Sequence, residues 1–339
     1  MLFVHTADNH LDMPLGSLPP HKALIRRQSR LSSFSKIIDY TLACGDMLLI
    51  SGDLFDTSCP SASVVRFCTE QFKRLGDIPV FISLGNHDHI SQSFNFPENV
   101  HLFPSSPETV TYKNYTITGV SFASPSADFA HIIPPASQKD RFNILCIHGD
   151  TLTQSEYNAM NKDKLFSLGY DYVALGHIHE FSRYKTIVYP GCHDGGGFDE
   201  TGEKFFVACR VENKLPIVEK IPSSSLVYRS ESFDISQYSS SDEIGAALCE
   251  KFPQGIYKFS LTGTPAEGFV PNISLIQDYI CEYFFHATVE DCSDTKADAS
   301  TNMLYKIFSD YVQSSCIDEE VSRLALHYGA CALKGEIDV

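Results

Sequence analysis

Five apolar runs, each short enough to be a buried strand, end in polar fragments rich in Asp, His, Asn and Gly. Leu2-Phe3-Val4 leads to Asp8-Asn9-His10, Met47-Leu48-Leu49-Ile50 to Gly52-Asp53, and Val80-Phe81-Ile82 to Gly85-Asn86-His87-Asp88. Ile144-Leu145-Cys146 leads to Ile147-His148-Gly149, and Tyr172-Val173-Ala174-Leu175 to Gly176-His177-Ile178-His179. Groups at the carboxyl ends of neighbouring strands in an open sheet converge on one crevice. A fold that pairs these strands therefore gathers the five fragments, and their residue types point to a hydrolase with a two-metal centre.

The segments between the fragments read as helices and further strands. After a polar loop through Pro20, Leu24, Leu31, Phe34, Ile38 and Leu42 repeat on one helical face that ends near Gly45, and a second helix opens at Pro60-Ser61 and runs to Gly76. Ser91–Pro107 reads as a loop whose apolar residues Phe94, Phe96, Leu102 and Phe103 should pack or meet a partner. Thr109–Lys113 and Tyr115–Phe122 form a hairpin turning at Asn114, and strands are expected at Arg183–Tyr189 and at Phe205–Val218, the latter folded at Glu212-Asn213. Composition shifts around Pro222-Ser223-Ser224-Ser225, which sets two domains, 1–222 and 223–339. In the second, Ser239–Asp242 reads as a polar loop, and helical patterns close the chain at Leu304, Ile307, Phe308, Tyr311, Val312 and at Val321, Leu324, Ala325, Tyr328.

With 339 residues and 43% apolar content the chain can bury a sizeable core. Eleven cysteines with no C-x-x-C pair fit neither a disulfide framework nor structural zinc, so reduced thiols and a cytoplasmic location are expected. The apolar opening is broken by His5 and Asp8, and no segment reaches membrane-spanning length, so neither export nor membrane insertion is expected. The formal charge of −16 is uneven: residues 1–222 carry 19 basic and 24 acidic groups, and residues 223–339 carry 7 and 18. Two divalent cations would bring the first part close to neutral, so this charge opposes tight unaided binding of a polyanion without opposing phosphoester chemistry.

Two cations about 3.5–4 Å apart need a bridging carboxylate to offset their repulsion. Asp53 suits that role. Neutral imidazole and an amide oxygen complete such shells, so His10, His148, His177, His179 and Asn86 favour Mn²⁺, with Fe²⁺ and Zn²⁺ as alternatives, over Ca²⁺. A hydroxide between the ions would attack phosphorus in line, while His87 stabilises charge or protonates the leaving oxygen and Asp88 orients its ring. Any one of these histidines alone would be read as structural; D-x-H, G-D, G-N-H-D, H and G-H-x-H in this order would not.

The ordered set resembles the calcineurin-like metallophosphoesterase superfamily. That resemblance implies an α+β fold: a four-layer α/β/β/α sandwich of two mixed sheets, followed by a smaller C-terminal α/β capping domain. It implies that Asp8, His10, Asp53 and His179 hold one metal, that Asp53, Asn86, His148 and His177 hold the other, and that His87 is the catalytic histidine. Ala7–Asp12, Ser51–Asp56 and Tyr189-Pro190-Gly191 are similar to the DNA-repair exonuclease branch that includes the bacterial SbcD-type nuclease subunit, and Gly197–Lys204 resembles its less-studied members. Asp56 stands where some members carry His, and Cys192-His193 replaces a small polar residue, which leaves strand polarity and endo- versus exonuclease preference open.

The resemblance implies DNA as substrate, an SMC-like coiled-coil ATPase as partner and a homodimer through the Ser61–Leu75 helix and the Phe94–Phe103 loop. Lys22, Arg26 and Arg30 recur every four residues and could form a DNA-gripping stripe on the first helix or simply its solvated face. Two other functions compete: a phosphatase or phosphodiesterase for nucleotides and other small phosphoesters, and an assembly platform docking a coiled coil through Leu304, Ile307 and Tyr311.

Overall fold

The computed structural model describes residues 1–90, 94–152, 157–266, 269–293, 303–315, 318, 321, 322, 324–326, 328 and 329. Ser91, where the expected loop begins, and the Leu304 side chain lie outside the described residues.

The chain opens as two β-α-β units: β1 (Leu2–Thr6), α1 (Pro20–Cys44), β2 (Met47–Ser51), α2 (Ala62–Arg74) and β3 (Val80–Ser83), with parallel pairing β1 to β2 and β2 to β3. Pro20 starts α1 where a missing N–H costs nothing, and Ser61 caps α2 by accepting from the Val64 amide. β4 (Val100–Leu102) joins beside β3, inside the segment expected to be loop. The second sheet follows with the hairpin β5 (Glu108–Tyr112) and β6 (Tyr115–Gly119), then β7 (Phe142–His148), α3 (Lys162–Ser167), β8 (Tyr172–Gly176), β9 (Ser182–Tyr184) and β10 (Ile187–Tyr189). Its strand order is β5-β6-β7-β8-β10-β9. The chain then returns to the first sheet through β11 (Phe205–Glu212) and β12 (Leu215–Pro222), giving β12-β11-β1-β2-β3-β4.

Strand alternation divides the apolar residues among three cores. Val4, Leu48, Ile50, Val80 and Ile82 face outward onto α1 and α2, meeting Phe34, Ile38, Cys68 and Phe72. Their neighbours Phe3, Met47, Leu49 and Phe81 face the other sheet, packing on Tyr115, Ile144, Cys146, Tyr172 and Ala174. Leu145, Ile147, Val173 and Leu175 point away from that interface, onto Leu165 of α3 and onto Phe129 and Met160. Runs buried on both faces explain why the strands read as continuous apolar stretches. The result is the four-layer α/β/β/α sandwich of an α+β protein. The loop phenylalanines find their partners within it: Phe94 packs on Phe55 and Phe96 on Phe72, with ring centroids 5.4 and 5.3 Å apart.

Three local readings need correction. Arg183–Tyr189 is not one strand but the β9–β10 hairpin, reversed at Lys185 with φ 55°. On α1 the inward stripe is Ala23, Arg26, Arg30, Ser33, Phe34, Ile37, Ile38 and Thr41, whereas Leu24 and Leu42 are exposed. The first compact unit runs through Ser230 and also includes Gly255–Tyr257, so it extends past residue 222. Ser223 is tied into this unit: its hydroxyl donates to His193 O at 2.5 Å, and Lys36 Nζ donates to Ser223 O at 2.9 Å.

The second unit comprises Glu231–Gln254 and Lys258–Val339. Most of the three-stranded sheet β13 (Tyr228–Asp234), β14 (Ile256–Thr262) and β15 (His286–Asp291) falls in it, with α4 (Ser241–Lys251), α5 (Ile273–Tyr283) and α6 (Met303–Ser314). Ser239–Asp242 is not simply a polar loop: Ser240 caps α4 by accepting from the Glu243 amide, and Ser239 N and Oγ donate to the Glu243 carboxylate. On α6, Ile307 and Tyr311 are exposed and Val312 is buried, and helical conformation resumes at residues 321, 322, 324–326, 328 and 329. Among the described residues no helix is long and apolar enough to cross a membrane.

Candidate metal centre

The loops that leave β1 and β2 are laced together by their backbones before any side chain is considered, and Gly149 N donates to Gly176 O at 3.2 Å between the ends of β7 and β8. Asp8 N donates to Gly52 O at 3.1 Å, and Asn9 N and His10 N both donate to Asp53 O at 2.7 and 3.0 Å. Asp8, His10, Asp53 and His177 all hold positive φ, at 50°, 43°, 51° and 104°. Side-chain-bearing residues seldom occupy that region, and strain of this kind collects at functional sites. Two glycines make the close approach possible: a Cβ on Gly52 would collide with the His148 ring, and one on Gly85 with the Asp53 carboxylate.

Most of the residues singled out from the sequence meet here. Ligand-capable atoms of Asp8, His10 and His179 lie within 4.8 Å of one another, as do those of Asp8, Asp53 and His148. Asp53 Oδ2 stands 3.8 Å from His10 Nε2 and 3.3 Å from His148 Nε2, between one histidine of each expected set. Asn86 Oδ1 is 3.0 Å from His148 Nε2. The His177 ring lies edge-on to His148 with centroids 5.3 Å apart, while its amide donates to both Asp8 oxygens at 2.9 and 3.1 Å. His177 belongs to neither tight group of three.

Electrostatics show a site short of positive charge. Burial alone would lower the His148 pKa, but the Asp53 and Asp8 carboxylates and the Ser51 carbonyl raise it to about 9. Burial opposes ionisation of Asp53 too, yet His148 and His10 hold its carboxyl well below the usual range. His177 is pushed down by burial and by His148. His148 Nε2 faces two oxygens, Asn86 Oδ1 and Asp53 Oδ2, at a position whose donor chemistry suits a cation. Both ring nitrogens of buried His10 lack a hydrogen bond, although Asp56 Oδ1 lies 3.0 Å from Nδ1. Two buried carboxylates, converging imidazoles and an unpartnered ring nitrogen fit divalent cations.

Asp88 does not orient His87. Its carboxylate accepts from the amides of Gly85, Leu54 and Phe55 at 2.7, 2.8 and 3.2 Å, stapling the G-N-H-D loop to the G-D loop. Burial, then the charge of Asp53, pushes its pKa up to about 7. His87 is placed instead by its amide, which donates to Asp53 Oδ1 at 3.0 Å, and by its Nδ1, 3.1 Å from Asp56 O. A carbonyl can only accept, so Nδ1 carries the proton and Nε2 is left free. The side chain is 45% exposed, beside a cluster in which Asp8, His10, Asp53 and His148 are buried and Asn86, His177 and His179 half-buried.

Arg26 and Arg30 do not form a surface stripe with Lys22. They are 0% and 1% exposed, while Lys22 is half-buried. Arg26 donates to Asp194 Oδ2 and Oδ1 at 2.7 and 2.5 Å and to Gly195 O at 2.8 Å; Arg30 donates to Asn9 O at 2.9 Å. Both brace the site from behind, with acceptors far away in sequence or on the backbone. Sequence reasoning also missed Glu200, which hydrogen-bonds His179 Nδ1.

The model of the calcineurin-like phosphoesterase family matches residues 1–181. The chain belongs to this family. Among curated proteins it is similar to an uncharacterized metallophosphoesterase, YhaO, of Bacillus subtilis (strain 168), 32% identical over 237 residues that cover 63% of this chain and 58% of that protein. It is also similar to the DNA double-strand break repair protein Mre11 of Saccharolobus solfataricus, 28% identical over 190 residues, 52% of this chain and 49% of that one. The chain thus spans between about half and three fifths of the length of these relatives. Family members use divalent metal ions, in keeping with the donor set assembled here.

Proposed function

We propose that the chain is a two-metal phosphodiesterase that cleaves DNA, with Mn²⁺ as the favoured ion. The observation that carries the reading is the convergence of Asp8, His10, Asp53 and His148 beneath an exposed His87. Asp8, His10, Asp53 and His179 would hold one ion and Asp53, Asn86, His148 and His177 the other. Bound ions would supply Lewis acidity and neutralise phosphoryl charge. The chain's own residues do the rest: Gly52 and Gly85 let the loops close, Asp88 fixes them, and Asp56 O sets the His87 tautomer. His87 Nε2 is then free to exchange a proton with a leaving-group oxygen at the mouth.

DNA is favoured over a small phosphoester by the likeness to Mre11 and by the exposure of His87. The buried arginines strengthen the case for a partner, because neither can touch a phosphate backbone and the chain carries −16. An SMC-like coiled-coil ATPase would supply basic surface, and exposed Ile307 and Tyr311 on α6 offer it an apolar contact. Homodimerisation through α2 belongs to the same proposal.

The test is hydrolysis of a single-stranded oligonucleotide, a cyclic nucleotide and a nucleoside monophosphate with Mn²⁺, by wild type and His87→Ala. Oligonucleotide cleavage that falls by at least about two orders of magnitude in the variant, with two ions still bound, supports the reading. Activity confined to the monophosphate overturns it.

A further inference from the structure

The segment Gly197–Lys204 has no place in the chemistry above, yet it folds onto one metal ligand. Glu200, only 9% exposed, approaches His179 Nδ1 with one carboxylate oxygen. Its other oxygen accepts from the Gly196 amide at 2.5 Å and lies 3.7 Å from the buried Cys192 thiol. Glu200 N in turn donates to Gly197 O at 3.1 Å, closing a tight turn that returns the carboxylate to the ring. The turn is anchored upstream, where Arg26 grips Asp194 and Gly195 O, and the glycines are there for room: a Cβ on Gly195 would press on Glu200 O.

The histidines of the site differ in what holds their second nitrogen. His148 Nδ1 faces the backbone carbonyl of Ser51 at 3.1 Å, and neither His10 nitrogen has a hydrogen bond. His179 is held by a carboxylate. A carboxylate behind a ligating imidazole fixes which nitrogen is presented, orients the ring and raises its basicity, and removing such a group costs about 10–100-fold in metal affinity.

We propose that Glu200 is a positioning residue for the metal site of Asp8, His10 and His179, locking His179 with Nδ1–H toward the Gly196–Glu200 turn so that Nε2 is the donor offered to the ion. The effect is confined to that ion, because Glu200 makes no hydrogen bond to Asn86, His148 or His177. The inference rests on the two-metal reading of the site and adds a residue that none of the strand-end fragments contains.

Mn²⁺ binding to the full-length, metal-stripped protein tests it by isothermal titration, for wild type, Glu200→Gln and Glu200→Ala. Glu200→Gln keeps shape and an acceptor but loses the charge; Glu200→Ala loses all three. One of two ions should bind about 10-fold more weakly in the first and up to about 100-fold in the second, with the affinity of the other ion unchanged. In Zn²⁺-loaded protein with ¹⁵N-labelled histidine, the His179 Nδ1–H resonance should persist in wild type and Glu200→Gln and vanish by solvent exchange in Glu200→Ala. Equal weakening of both ions, or wild-type affinity in both variants, overturns the proposal while leaving the functional reading intact. Wild-type protein that takes up no Mn²⁺ overturns both.

Discussion

Replacing Arg26 by alanine should unfold the first unit far more readily than any surface substitution. The guanidinium meets Asp194 through two parallel hydrogen bonds of 2.7 and 2.5 Å, with both side chains at 0% exposure. Removing one member of such a pair strands the other's charge in the interior, at a cost of about 3–5 kcal/mol. A domain of this size loses roughly 2–4 °C of melting temperature per kcal/mol, so the expected fall is about 6–20 °C. The exposed pair Arg74–Asp39, at 42% and 58% exposure, supplies the control: Arg74→Ala should cost no more than about 1 kcal/mol. Scanning calorimetry of the metal-stripped protein reads both, together with Asp194→Ala and the double variant Arg26→Ala/Asp194→Ala. The double variant should sit well above the sum of the single losses, because it leaves no lone charge. An Arg26→Ala protein that melts within about 2 °C of wild type would refute the reasoning, since a solvated arginine is then the better description.

Asp53→Asn should bind at most one Mn²⁺ and lose about two or more orders of magnitude in turnover, checked by metal analysis and oligonucleotide cleavage; two retained ions would contradict Asp53 as the shared ligand. Gly85→Ala drives a methyl into the Asp53 carboxylate, so it should cost about 1–3 kcal/mol in urea unfolding and weaken Mn²⁺ uptake. The metal-free protein should be most stable near pH 6.5. Burial holds His5 and His193 at about 3, so below pH 6.5 the unfolded chain binds their protons and the native state does not, and stability falls as pH drops. His148 and His179 are raised to about 9 against the desolvation that opposes it, so their contribution is complete below pH 6.5 and is lost as pH climbs through 9. Each fully engaged group contributes a slope of about 1.4 kcal/mol per pH unit in urea titrations, and a flat profile from pH 4 to 9 would reject this accounting.

The strands and most of the site were legible because both are local signals. Continuous apolar runs mark strands buried on two faces, and each carries its polar fragment a few residues on. What escaped the sequence depends on partners far along the chain. Arg26 looked like a solvated residue because its carboxylate stands 168 positions away, and that distance also misplaced the inward face of α1. Adjacency in the sequence pairs Asp88 with His87, but its three amide donors come from two different loops. The β9–β10 reversal carries no Gly or Asn, only Lys185 in a left-handed conformation imposed by strand pairing. The start of α4 has a local signal: Ser240 with Glu243 three residues later is a helix-capping pattern.

Left-handed backbone at Asp8, His10, Asp53 and His177 has a consequence for how this protein could be hardened. Each such residue holds strain of about 1–3 kcal/mol that glycine would release. A library selected only for heat resistance should therefore drift toward glycine at these four places, and every such gain would remove a side chain that the proposed metal centre needs. Durability and turnover are set against each other at the same four peptide units, so useful stabilisation has to be sought in the helical layers.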